Sequence, residues 1–100
     1  MLSNQDGYEA LKQVLDDALS QASEGKGRER HAGGLPFHEQ PIMTITRSVG
    51  AGFPAGQALK KIQESIGMDR RGSSDAAYRE ALGAIIYTAA LAIAYRDGKA

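Results

Sequence analysis

The sequence predicts an all-α fold: a compact bundle of about four helices forming a single domain over residues 1–100. Two observations point there. Apolar residues recur at three- and four-residue spacing in successive segments, and clusters of glycine and proline separate those segments. A third removes the rival: only Thr44 to Val49 is rich in β-branched residues, and a lone strand cannot satisfy its own backbone. One hundred residues and 10.6 kDa suit one hydrophobic core. An apolar content of 42% with 24% charged residues is globular and excludes a disordered tail.

The first helix is expected from about Ser3 to Ala22. Asp6 followed by Glu9 resembles a capping box, and Tyr8, Leu11, Leu15 and either Ala18 or Leu19 form its inward stripe, with Val14 widening it. Glu24 to Pro36 holds four glycines and a proline in thirteen residues and reads as a long loop. Phe37 to Val49 follows as a helix with Pro41 in its first turn, where proline is tolerated, and with Ile42, Ile45 and Val49 on the buried face. Gly50 to Pro54 is a turn. The third helix runs from Pro54 to about Ile66 with Ala58, Leu59, Ile62 and Ile66 inward, and Gly67 as its stop. A polar connection over Met68 to Ser73 leads to a last helix from Asp75 to about Arg96, capped by Ser73 or Ser74.

That last helix is apolar on every side, and a helix of this kind is surrounded by protein. Three shorter helices hardly cover it in a chain this small. The expectation is therefore a homo-oligomer packed through the Ala-rich C-terminal helix, with Gly83, Ala84, Ala90 and Ala94 permitting close approach. Its apolar run, Ala81 to Tyr95, is shorter than the roughly 20 residues of a bilayer span. No signal-like leader opens the sequence, so a cytoplasmic protein that does not engage a membrane is expected.

Charge sums to zero, with twelve Lys+Arg against twelve Asp+Glu, which argues against a nucleic-acid coat. It is unevenly placed: residues 1–24 carry −4 and residues 47–71 carry +3, so the two regions can attract each other. The absence of cysteine removes thiol catalysis and disulfides. No Gly-x-Ser-x-Gly elbow occurs, and His38-Glu39 lacks the second histidine of a zinc-binding helix. No catalytic residue, metal ligand or cofactor is therefore assigned.

Anion recognition is the best-supported chemistry. Lys26, Arg28, Arg30 and His31 lie within seven residues beside Gly25 and Gly27, and loop amides with guanidinium groups can cradle phosphate. Arg47, Lys60 and Lys61 are secondary candidates from the second and third helices, and Phe37 or Tyr8 could stack on a base. Glu29 to Ala32, Pro36 to Ile42, Gly56 to Glu64 and the Ala-rich last helix resemble small helical proteins encoded by bacteriophages. That resemblance implies stoichiometric action on host machinery. The expected function is a non-enzymatic protein sequestering a phosphate-bearing ligand such as a nucleotide. The alternatives are a small inhibitor or adaptor that binds a host protein, and a magnesium-dependent all-α nucleotide pyrophosphohydrolase holding its metal with carboxylate pairs.

Overall fold

A computed structural model describes residues 6–24 and 34–98. They form four α-helices: α1 (Glu9–Ser23), α2 (Pro41–Val49), α3 (Gly52–Arg70) and α4 (Ser74–Arg96), with a 3-10 turn at Phe37–Glu39 before α2. No strand occurs among the described residues, so the all-α expectation holds, including the helical reading of residues 41–49.

Helix α4 is the spine. It packs most extensively on α3, while α1 and α2 contact it from other sides. The α3–α4 pair runs antiparallel across a short turn. Phe53 near the start of α3 meets Tyr87 edge-to-face, with ring centroids 5.9 Å apart. Further along, the Lys61 side chain lies over Gly83 and reaches Glu80, with Nζ 3.5 Å from Oε1. Small residues make this close approach possible: Ala58 on α3 and Gly83, Ala84, Ala90 and Ala94 on α4 are buried, along with Pro54 and Leu82. The expected oligomer contact through Gly83, Ala84, Ala90 and Ala94 is therefore corrected. Those four residues are covered within one chain.

Three helix limits also differ from expectation. Gly7 has φ +85°, a left-handed conformation that no right-handed helix passes through, so α1 begins at Glu9 and not at Ser3. Tyr8 is the N-cap, no side chain caps it, and the Glu9 carboxylate accepts a bond from the Gly7 amide instead of completing a capping box with Asp6. Helix α3 continues through Gly67 to Arg70. Its stop is Gly72 at φ +85°: the Ser73 amide donates to Met68 O and the Gly72 amide to Asp69 O, both at 2.9 Å. Those two bonds are a Schellman motif. The connection to α4 thus shrinks to residues 71–73, and Ser73 caps α4 by position only, without a side-chain bond.

The inward faces are corrected as well. On α1, Ala18 and not Leu19 is the inward position: it is buried, flanked by the half-buried Val14, Asp17 and Gln21, while Tyr8, Leu11, Leu15 and Leu19 are exposed. On α2, Met43 and Thr46 are buried in place of Ile45 and Val49. The Thr46 hydroxyl satisfies itself by donating to Ile42 O at 2.7 Å. On α3, Leu59, Ile62 and Ile66 face outward, and Lys61 is turned toward α4. On α1 the flatter side bearing Ala18 turns inward, and on α3 the side bearing Pro54 and Ala58, whereas α2 buries the larger Met43.

Candidate functional site

Helix α1 sits against α4 through polar contacts. The Tyr78 hydroxyl donates to Asp17 Oδ2 at 2.6 Å, and the Gln21 amide donates to Arg79 O at 3.0 Å. The bond to the Asp17 carboxylate, with some burial and the nearby negative charge, holds the Tyr78 phenol above the ordinary tyrosine value. Because the contact is made on this side of α1, the leucines stand beside α4 and not beneath it.

The result is an open groove of about 570 Å³ between α1, the segment leading into α2, and the second half of α4. Leu15 and Leu19 form one wall, Leu35 and Phe37 another, and Ile85, Ile86, Ala89 and Ile93 the α4 side. Among the described residues, two polar side chains along it are bonded within the chain. Gln40, buried at the groove's edge, donates to Leu35 O at 2.9 Å, and Ser23 donates to Leu19 O at 2.8 Å. The groove therefore presents carbon to whatever enters it, with a volume in the range of ligand clefts.

The predicted anion site divides into two parts. Lys26, Arg28, Arg30 and His31 lie outside the described residues. Arg47 is exposed on α2 and donates to His38 O at 2.6 Å. Lys60 pairs with Glu64 one turn along α3, and Lys61 with Glu80 of α4. These three cations thus each answer to a different local partner, and none of them lines the groove. Phe37 does line it, and Tyr8 stands exposed before the first turn of α1. Among the described residues, no three His, Asp or Glu side chains gather where a metal ion could be held.

The residues that shape the groove are visible in the sequence as apolar positions, but the spacing of Leu15 and Leu19 reads as core. No signal in the sequence separates a leucine that lies under a neighbouring helix from one that lies next to it. Helix α4 at 23 residues has the length and composition to cross a bilayer, whereas the apolar run Ala81 to Tyr95 within it is shorter. In this fold it is the element around which the others pack. Comparison with protein-family models, curated proteins and solved structures gives no match to this chain.

Proposed function

We propose that the chain is a non-enzymatic binding protein whose working surface is the apolar groove between α1 and α4, and that it acts by receiving an apolar ridge of a polypeptide. One observation carries this reading: two helices leave leucine and isoleucine side chains facing each other across open space, with the local polar groups already bonded. Such a surface has little to offer a reacting group. It gains free energy by removing hydrocarbon from water, about 25 cal/mol per Å². Affinity in this reading comes from shape and apolar area.

The groove's capacity is testable with 8-anilinonaphthalene-1-sulfonate at low protein concentration. Saturable fluorescence enhancement is expected, weakened at least ~10-fold in Ala89→Glu, since Ala89 is exposed on the α4 side and its replacement adds a charge without disturbing the core. No enhancement, or equal enhancement in the variant, overturns the reading.

A second reading retains the phosphate-bearing ligand. Ser23 and Gly34, described residues on either side of the basic stretch in the sequence, both line the groove. Loss of nucleotide binding in Arg28→Ala/Arg30→Ala, followed by calorimetry, with dye binding unchanged, would support that reading. Unchanged nucleotide binding, or none in the wild type, would remove it.

A further inference from the structure

The groove and the helix face beside it share residues. Leu15 and Leu19 line the groove from within and also belong to the exposed row Leu11, Leu15 and Leu19 along α1. A surface that carries a ridge immediately next to a groove of the same chemistry can satisfy itself by a two-fold rotation, each ridge entering the other's groove. We infer that the occupant of the groove is α1 of a second copy of this chain, so that α1 and α4 of two copies close into a four-helix interface.

The dimensions agree. The ridge from Leu11 to Leu19 and the α4 wall from Ile85 to Ile93 each span eight residue steps, about 12 Å of helix. Rows of side chains four residues apart are the ridges that pack into grooves of a neighbouring helix. The area agrees as well. Tyr8, Leu11, Leu15, Leu19 and Leu35 are 56, 53, 48, 67 and 48% exposed. They offer on the order of 500 Å² of apolar surface, a patch size that marks an association site. The groove adds little to this, because Leu15, Leu19 and Leu35 are already counted; the apolar patch stays below the ~800 Å² per partner of a standard interface, and polar rim residues such as Lys12 and Asp16 add to it.

Charge permits the pairing. The chain has zero net charge, so copies do not repel at long range. Beside the ridge, Lys12 and Asp16 carry opposite signs and are paired in one chain at 2.6 Å. An antiparallel α1–α1 contact centred on the ridge brings each Lys12 within a helical turn of the other copy's Asp16. The row Leu59, Ile62 and Ile66 on α3 is also exposed, at 63, 45 and 47%, but none of the three lines the groove. It serves as the control surface.

The inference rests on the groove being a binding surface, and the experiment separates the two claims. Sedimentation equilibrium of the full chain at micromolar concentrations is expected to give twice the 10.6 kDa chain mass. Leu19→Glu is expected to weaken association by ~100-fold or more, because the side chain enters the interface twice, while its far-UV circular dichroism stays that of the wild type. Leu59→Glu should remain dimeric. In a chain without cysteine, Leu15→Cys should form a disulfide-linked dimer under mild oxidation and Leu59→Cys should not. A monomer at every concentration, or dissociation by Leu59→Glu and not by Leu19→Glu, overturns self-docking. If that monomer still binds the dye and Ala89→Glu abolishes binding, only the identity of the occupant falls. If it binds no dye, the groove reading falls too.

Discussion

Two glycines in the same stretch of chain are expected to respond oppositely to alanine. Gly72 occupies the left-handed position that ends α3, at φ +85°, and nothing lies within 4 Å of where a Cβ would stand. The whole cost of Gly72→Ala is therefore conformational: about 1–2 kcal/mol to hold a residue with a Cβ in that region. The reduced freedom of the unfolded chain returns about 0.4–1 kcal/mol. The net destabilisation is about 1 kcal/mol, which for a domain of this size lowers Tm by about 4–8 °C. Gly67 lies inside α3, where a Cβ would approach only the Arg71 guanidinium at 3.2 Å. Arg71 is exposed and can give way, so Gly67→Ala should stabilise by about 0.5–1 kcal/mol. Gly72→Asn should fall between wild type and Gly72→Ala, since asparagine visits the left-handed region more readily. Thermal unfolding followed by circular dichroism, at one fixed protein concentration, reads all three. The reverse order, with Gly67→Ala destabilising and Gly72→Ala neutral, would refute the placement of the helix stop and the Schellman hydrogen bonds with it.

Other expectations follow from the packing. Met43 is 1% exposed beneath α2, and Met43→Ala should cost about 2–5 kcal/mol in denaturant unfolding, whereas Val49→Ala on the same helix at 68% exposure should cost little. An equal effect of the two would put the wrong face of α2 inward. Tyr78 should ionise above the ordinary tyrosine value of 10.0, observed as the part of the 295 nm titration that disappears in Tyr78→Phe, and Asp17→Ala should bring it down. Because the folded-state value is raised, the contribution of this contact is fully present below the unfolded tyrosine pKa. It is lost as pH rises through the raised value, so the tie between α1 and α4 loosens only in strong alkali. A Tyr78 titration unaffected by Asp17→Ala would show that the hydrogen bond does not form in solution.

The candidate site is only partly legible without the fold. Phe37 and the apolar α1 positions stand out in the sequence, as does the basic run of residues 25–31, but nothing there connects them. What the fold adds among the described residues is that Phe37, Leu15, Leu19, Ser23 and Gly34 line one groove. Arg47, Lys60 and Lys61 share only their charge, and the fold separates them onto His38, Glu64 and Glu80. Sequence spacing carries helix phase, but it carries no information about which neighbour a given phase will meet.

The sequence alone determined that this chain is helical, roughly where its helices begin and end, and that the C-terminal one is apolar on every side. Those properties follow from local terms: backbone restrictions at glycine and proline, and the period of apolar residues. That the chain's own helices cover its small residues was decided only by the fold. Which side of each helix turns inward was decided only in the tertiary structure. An Ala- and Gly-lined spine allows backbones to come close, and close approach favours the flat sides bearing Ala18, Pro54 and Ala58 over the rows of leucine and isoleucine. On α1 and α3 the larger leucine and isoleucine side chains remain outside as a ridge and a groove wall, because the short separation from the spine leaves room there for small residues.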